Sequence, residues 1–209
     1  MYVHLRRSLV LLLCSFAVLG LAYAYAATGL SQALFPHQAN GSLGPNGSTL
    51  IGQPFDATRW FHGRPDDFGP YAADPAKGVS GGDNPLEADG VQGSSGPTNL
   101  GPRSKVLLED TRALIRWWHE HGVQPTSDLV TTSGSGLDPD ISPRSALVQI
   151  PMVAKATGVP PADLRALVER EVHPAEWGFL GSPTVDVLQL NEALAHLEAR
   201  LGLHPGNAR

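Results

Sequence analysis

The first feature of the chain is an uninterrupted run of apolar residues near the N-terminus. Ser8–Ala27 contains 20 residues without a charged side chain. Because an α-helix rises about 1.5 Å per residue, a helix of this length crosses the roughly 30 Å hydrocarbon core of a bilayer. We therefore predict one transmembrane helix over residues 8–30, with Leu9, Leu13, Gly20 and Tyr23 among its membrane-spanning residues.

The charges around this run predict its orientation. Arg6 and Arg7 directly precede it, and no Lys, Arg, Asp or Glu follows before Asp56. Basic residues next to a membrane helix are usually retained on the cytoplasmic side. We therefore expect residues 1–7 in the cytoplasm and residues 31–209 in a soluble extracytoplasmic domain.

A cleaved signal peptide is the alternative to an anchor. Ala22-Tyr23-Ala24 and Ala24-Tyr25-Ala26 both resemble cleavage sites, and cleavage would release a secreted ligand-binding module. The apolar run is longer than the roughly 7–15 residues of most signal peptides. Its length favours a retained anchor.

The residues after the span divide into two parts. Residues 36–102 are rich in Gly and Pro and have little apolar periodicity, which predicts turns and loops. Residues 103–209 have apolar positions at three- and four-residue steps, which predicts helices. Helices and a few short strands without βαβ repetition indicate one compact α+β domain.

Caps and breakers position the predicted elements. One helix contains Val106 to Trp118 and ends at Gly122, with one of its adjacent tryptophans, Trp117 and Trp118, buried and the other near the surface. Ser142 is the expected N-cap of the next helix, which Pro151 kinks or divides. The remaining predicted elements are a strand at Asp128–Thr132, a helix from Pro160 to Glu171, a strand at Thr184–Leu188 and a last helix at Leu190–Leu201.

Composition excludes several kinds of function. The net charge is −5 and no basic patch occurs, so a nucleic-acid partner is not expected. Cys14, within the span, is the only cysteine, which leaves the external domain without a disulfide or a thiol nucleophile. His119 and His121 are two residues apart on a predicted helix and face different directions, so we expect no metal site.

The least generic segment is a loop rich in glycines and hydroxyls between Thr131 and Pro143. Such a loop can turn several backbone N–H groups toward one acceptor, but it lacks the Gly-Lys-Ser/Thr ending of a phosphate loop. The favoured interpretation is a tight structural connection in which Asp138 and Ser142 cap backbone donors. An exported serine hydrolase that uses Ser133 or Ser135 is the alternative, although neither serine has the Gly-x-Ser-x-Gly context of a nucleophile elbow.

Several runs together resemble one family, the C subunit (KdpC) of the bacterial Kdp potassium-transporting P-type ATPase. The similarity covers essentially the whole chain, because the order and the spacing of the motifs agree as well as their content. The runs that carry it, besides the N-terminal span, are Leu50-Ile51-Gly52-Gln53, Trp60-Phe61-His62-Gly63-Arg64-Pro65, Asp128 to Pro139, Ile141-Ser142-Pro143 with Gln149, and Gly181 to Asn191.

The chain also departs from the family pattern. Family members usually carry His where this chain has Asp140 and Arg where it has Met152. A Gly-rich run that is often continuous is separated here into Ser80-Gly81-Gly82 and Asn99-Leu100-Gly101-Pro102.

The resemblance implies an accessory subunit without a catalytic centre, in a single-pass topology in the bacterial inner membrane. Its expected partners are a P-type ATPase subunit that hydrolyses ATP, a channel-like subunit that carries potassium, and membrane lipid. No cofactor is expected to bind tightly, since ATP and K⁺ are handled by the complex, whose ATP affinity this subunit is described as raising. The candidate contact residues are Gln53, Arg64, Thr131, Ser133, Gly134, Ser135, Gly136, Asp138, Asp140 and Gln149.

Overall fold

The computed structural model describes residues 2–53, 55, 57–65, 95 and 98–203, which form two compact units, Met1–Ser48 and Thr49–Arg209. Of the separated Gly-rich run noted above, Ser80-Gly81-Gly82 lies outside the described residues, whereas Asn99-Leu100-Gly101-Pro102 lies within them. Each unit is described by itself.

The first unit is dominated by one long helix. This helix, α1, runs over Tyr2–Leu34, with a π-helical segment at Phe16–Ala22, and none of its residues is buried. Its most apolar 18-residue window has a mean hydropathy of 2.2, so it is long and apolar enough to cross a membrane. Residues 8–30, where the sequence predicts a transmembrane helix, are helical, and the helix extends further at both ends.

A short segment completes the first unit. Helix α2 covers Pro36–Ala39, and strands β1 (Leu43–Gly44) and β2 (Gly47–Ser48) pair antiparallel. The Ser48 hydroxyl donates to the Gly41 carbonyl over 2.6 Å, which closes this small hairpin onto the chain before it.

The second unit contains four helices and one two-stranded antiparallel sheet among its described residues. The helices are α3 (Lys105–Glu120), α4 (Pro143–Thr157), α5 (Pro161–Arg170) and α6 (Val187–Arg200), and the sheet pairs β3 (Asp140–Ile141) with β4 (Val185–Asp186). This mixed architecture confirms the helices and few short strands of the predicted α+β class.

Local sequence signals explain where these helices begin and end. Ser142 caps α4, because its Oγ accepts the Ser145 N–H, and Pro143 occupies the first position as predicted. Helix α3 is followed by Gly122 at φ +76°, and α6 by Gly202 at φ +70°. Both glycines adopt the left-handed conformation that commonly ends a helix.

The hydrophobic core lies where α3, α4, α5 and α6 face one another. Trp118 is fully buried and its Nε1 donates to the Leu129 carbonyl over 2.9 Å, whereas Trp117 is half-buried, as predicted for this pair. Met152, at a position where the family usually has Arg, lies in this core and is 4% exposed. The largest fully buried side chains also include Phe61, Leu114, Leu129, Ile141, Leu164, Leu190 and Leu194.

The predicted strand at Asp128–Thr132 is wrong. The segment begins with a 3₁₀ turn, Ser127–Leu129, and continues without regular structure. Its carbonyl groups accept hydrogen bonds from side chains and not from a neighbouring strand. The Trp118 indole donates to the Leu129 carbonyl, and the Arg64 guanidinium donates to the Thr131 carbonyl.

The structure also bears on the predictions for Pro151 and for the strand at Thr184–Leu188. Pro151 lies inside α4 and does not divide it, because its neighbours Ile150 and Val153 are buried and packing offsets the missing hydrogen bond. The predicted strand at Thr184–Leu188 is limited to Val185–Asp186. Helix α6 starts directly afterwards because the Asp186 carboxylate accepts the Gln189 N–H over 2.8 Å.

Candidate functional site

Arg64 holds the glycine- and hydroxyl-rich loop in place. Its Nη2 donates to the carbonyls of Thr132 (2.8 Å) and Thr131 (3.3 Å), and its Nη1 donates to Asp138 Oδ2 over 3.1 Å. The guanidinium thus joins the beginning and the end of residues 131–138, called the 131–138 loop below. Planar geometry with five donors makes arginine suited to this task.

Two serines of the loop accept backbone N–H groups of the same loop. Ser133 Oγ accepts the Gly136 N–H over 3.0 Å, and Ser135 Oγ accepts the Leu137 N–H over 3.2 Å. The two hydroxyls lie 3.0 Å apart. Asp138 Oδ1 accepts the Asp140 N–H, and Ser142 caps α4, so the predicted role of these two side chains as caps is confirmed.

This bonding pattern limits what the loop can do chemically. An anion cradle needs several unused N–H groups that point at one place, yet two of these donors already bond to serines. Within the described residues, neither Ser133 nor Ser135 bonds to a histidine, which a serine nucleophile requires for activation. Gly134 has open space around it, and Gly136 is buried at φ +68°.

A close backbone approach joins the loop to the segment around Gly52. The Gly52 N–H donates to the Leu137 carbonyl over 2.8 Å, and a Cβ on Gly52 would lie 3.0 Å from the Asp138 oxygen. Gln53 is half-buried beside it. The cavity that these residues line with Arg64 measures about 30 Å³, which holds one or two waters rather than a nucleotide.

Two buried amides hold the apolar segment that leads to Arg64. The backbone of His62 donates to Gln149 Oε1 (2.8 Å) and accepts from its Nε2 (3.0 Å). The backbone of Phe61 exchanges the same pair of bonds with Asn191, at 2.9 and 2.8 Å. Gln149 is fully buried, so the structure places this predicted contact residue inside the domain and not beside the exposed loop.

Asp128 connects the segment before the loop to the start of α4. Its Oδ2 accepts the Ser142 N–H (3.1 Å), the Ser142 hydroxyl (2.6 Å) and the Ser145 hydroxyl (2.6 Å). Burial raises the pKa of this carboxyl, but the hydrogen bonds from both serines, together with the charge of Arg64, outweigh burial and lower the pKa.

Asp140 lies directly across the small sheet from Asp186. Burial raises the pKa of Asp140, and the nearby Asp138 raises it further. Burial also raises the pKa of Asp186, with a further contribution from Asp140, although hydrogen bonding to the Gln189 N–H opposes this. Negative charge is therefore concentrated at this end of the loop. Among the described residues, no three His, Cys, Asp or Glu side chains are grouped to hold a metal ion.

Sequence reasoning did not identify several residues that organise this site. Asn191 is 130 residues away from its partner Phe61, so no local pattern marks it. Gly52 matters because the backbone of Leu137 and Asp138, which is distant in sequence, approaches it closely. Trp177 is 82% exposed. The sequence could have indicated this residue, because it is a large aromatic residue next to a glycine in a segment of turns.

These observations define a class of protein with, among its described residues, one candidate membrane helix and an α+β domain, whose loop is fastened by an arginine and by its own serines. The family model "K+-transporting ATPase, c chain" matches residues 5–196. A Potassium-transporting ATPase KdpC subunit of Rhodopseudomonas palustris is 46% identical over 200 residues, covering 91% of this chain and 96% of that protein. The chain belongs to the KdpC family.

Further relatives agree with this assignment. The KdpC subunit of Methylorubrum populi is 46% identical over 209 residues, covering 96% of this chain and 100% of that protein. The KdpC subunit of Caulobacter vibrioides is 44% identical over 199 residues, covering 91% of this chain and 92% of that protein. The resemblance inferred from the motifs is confirmed, and the chain is similar to these subunits along nearly its whole length.

Proposed function

We propose that this chain is an accessory subunit that assembles and stabilises the pump and channel-like subunits of a high-affinity, ATP-driven potassium importer. The observation that carries the proposal is the fastening of the 131–138 loop by Arg64. A loop fastened by Arg64 and by its own serines presents a fixed surface, and such preorganisation lowers the entropy cost of binding another protein. The proposed contact surface is this loop with Gln53 beside it.

Catalysis and ion translocation are assigned to the partners in this proposal. ATP hydrolysis belongs to the P-type ATPase subunit and the potassium path to the channel-like subunit, with no cofactor held by this chain. Asp138 and Asp140 make the loop end negative and attract cations weakly, which suits a position near the external potassium entrance.

The orientation in the membrane is part of the same proposal. Arg6 and Arg7 favour a cytoplasmic N-terminus, and the domain after α1 then lies outside the cytoplasm. From that side, an increase in the pump's ATP affinity has to be conformational, transmitted through the membrane helices. Gly20 is the proposed point of close helix contact, since small residues let helix backbones approach.

Affinity purification of the tagged chain, after co-expression with the other subunits and mild detergent extraction, tests the assembly role. Wild-type chain should retain a P-type ATPase subunit and a multi-span channel-like subunit. Arg64→Ala should weaken retention about tenfold or more, because hydrogen bonds to a charged group contribute about 1.5–3 kcal/mol each. Arg165→Ala, which changes an exposed arginine on α5, is the matched control and should retain both subunits.

Recovery of the wild-type chain without the other subunits would contradict the assembly role. Equal retention by Arg64→Ala and the wild type would contradict the proposed contact surface while leaving the assembly role in place. Labelling of Ser133 or Ser135 by a fluorophosphonate would support the serine hydrolase instead, and we expect no labelling.

The single native cysteine makes the topology easy to test. In a Cys14→Ser background, Ala195→Cys places an exposed thiol on α6, and His4→Cys places one before the span. A membrane-impermeant maleimide added to intact spheroplasts should label Ala195→Cys and leave His4→Cys unlabelled. The reverse pattern would overturn the proposed orientation, and a mature chain beginning after Ala24 would show a cleaved signal peptide.

A further inference from the structure

A short hairpin-like arm precedes β4 and ends in an aromatic tip. His173 and Thr184 exchange two backbone hydrogen bonds of 2.8 and 3.0 Å, and Glu176 and Leu180 exchange two of 2.9 Å. The arm therefore has two paired positions on the way to its turn. Residues 177–180 are called the aromatic tip below.

The aromatic tip presents large apolar side chains to solvent. Trp177 is 82% exposed, Phe179 is 73% exposed and Leu180 is 47% exposed. Burying a large apolar side chain contributes about 1.5–3 kcal/mol, and Trp177 and Phe179 obtain little of this contribution in the isolated domain. An exposed apolar cluster of this kind typically marks an interaction site.

The backbone of the tip is held in a conformation that a tryptophan rarely adopts. Trp177 has φ +52° and is followed by Gly178 at φ +81°. A bulky residue with positive φ is an outlier, whereas glycine or asparagine adopts this conformation readily. Bonds from the Gly178 N–H to Ala175 and from the Phe179 N–H to Glu176 keep the turn closed. Trp177 is thus disfavoured by both exposure and backbone conformation, so it has no role in stabilising the isolated domain.

The lack of basic residues in the arm favours a protein partner over a lipid surface. No Lys or Arg occurs between His173 and Thr184, and Glu176 is the only acidic residue there. Segments that lie on anionic membranes usually combine apolar residues with Lys or Arg. A rigid, uncharged tip is instead complementary to an apolar pocket, and tryptophan is the residue most enriched at the energetic centres of protein interfaces.

We propose that the aromatic tip inserts Trp177 and Phe179 into an apolar pocket on another subunit of the same potassium-transporting ATPase. This inference rests on the proposed assembly role and adds a second contact, separate from the 131–138 loop. The closed turn fixes the backbone that carries both rings before binding, so little backbone entropy is lost on docking.

Co-purification of the full chain with the other subunits, as above, tests the tip with the variant Trp177→Ser. We expect its retention to fall about tenfold or more, as for the truncation of an interface hot spot. Leu108→Ser is the matched control, because it removes another apolar residue that is 50% exposed, on α3. Its retention should equal that of the wild type. The thermal unfolding of Trp177→Ser should not shift downward, since Trp177 is not part of the core.

Photocrosslinking identifies what the tip contacts. Benzoylphenylalanine introduced in place of Phe179 in the assembled complex, in native membranes, should give a protein adduct with another subunit, identified by mass spectrometry. Adducts with lipid, with a second copy of this chain or with nothing would overturn the proposal. If Trp177→Ser retains the other subunits as well as the wild type does, the proposed contact of the tip is wrong and the assembly role remains. If the wild-type chain purifies without the other subunits, both the contact of the tip and the assembly role are wrong.

Discussion

The side chain of Gln149 bonds the backbone of His62 in both directions, with its oxygen 2.8 Å from the His62 nitrogen and its nitrogen 3.0 Å from the His62 oxygen. The amide therefore acts like the edge of a neighbouring strand. Because the adjacent Phe61 is bonded in the same way by Asn191, two helices hold one extended segment through their side chains. This segment leads directly to Arg64 and so positions its guanidinium to bond the 131–138 loop.

Gln149→Leu should destabilise the domain by about 2–4 kcal/mol. The substitution keeps a similar volume but leaves the buried N–H and C=O of His62 without these partners, and each unsatisfied group costs about 1–3 kcal/mol. Denaturant unfolding of the full chain in detergent, followed by tryptophan fluorescence, measures the change. Gln189→Leu, near the start of α6 and outside this clamp, is the control. A loss below about 0.5 kcal/mol for Gln149→Leu would contradict the clamp.

Asp128 should make stability depend on acid pH. Because its folded-state pKa is lowered, the stabilising contribution is present above the unfolded pKa and is lost as the pH falls through the folded value. The expected loss therefore lies below about pH 4. Asp128→Asn should lose about 1.5–3 kcal/mol at pH 7, by removing a charged acceptor of three hydrogen bonds, and should flatten this acid dependence.

Unfolding curves of Asp128→Asn and the wild type at several pH values from neutral to acid give the comparison. If the two proteins lose stability in parallel below pH 4, another carboxyl is responsible for the acid dependence.

Asp140→Asn should stabilise the domain at neutral pH. The pKa of Asp140 and that of the facing Asp186 are both raised, so the folded state binds protons more tightly than the unfolded state. Stability then falls as the pH rises from the unfolded value through the raised folded value, and the full penalty remains at pH 7. Like charges opposite each other in a sheet cost roughly 0.2–1 kcal/mol, which is the expected gain.

Thermal unfolding at pH 7 measures this gain, with Glu169→Gln on the exposed face of α5 as the control. Asp140→His, which introduces the residue usual in the family, should also be at least as stable as the wild type. A lower stability of Asp140→Asn would show that favourable interactions of the carboxylate, such as that with the nearby His173, outweigh its burial and its repulsion from Asp138 and Asp186.

Gly52→Ala should displace the end of the 131–138 loop. An added Cβ would lie 3.0 Å from the Asp138 carbonyl, and overpacking of this kind costs about 1–3 kcal/mol. Gly134→Ala is the matched control, because it has open space and no positive φ, so its effect should stay within about 0.5 kcal/mol. Equal stability and equal subunit retention for the two variants would show that the close approach at Gly52 has no structural importance.

The helices, including the candidate membrane helix α1, were predictable because their signals are local. The apolar run before Thr28 predicted α1, and Ser142-Pro143 predicted the start of α4, since a cap and its target are only three residues apart. The strand predicted at Asp128–Thr132 was wrong because its β-like composition is overridden by side chains from Trp118 and Arg64, which take the carbonyls that a neighbouring strand would otherwise bond.

The candidate site was predictable only in outline. Its loop and Arg64 were recognised from the sequence, whereas Gly52 and Asn191 were not, because their partners are far away along the chain. Gln149 was recognised as a contact candidate, but only the structure shows its side chain buried against His62.

By itself, the sequence determined the apolar span, the start of α4, the charge asymmetry around the span and the family, because these depend on composition and on neighbours a few residues apart. Only the tertiary structure decided how the loop is fastened, which carboxylates face each other and which tryptophan is exposed. The physical reason is distance along the chain: the bonds to Gln149 and Asn191 join residues 87 and 130 positions apart, and packing of the helices alone brings them together.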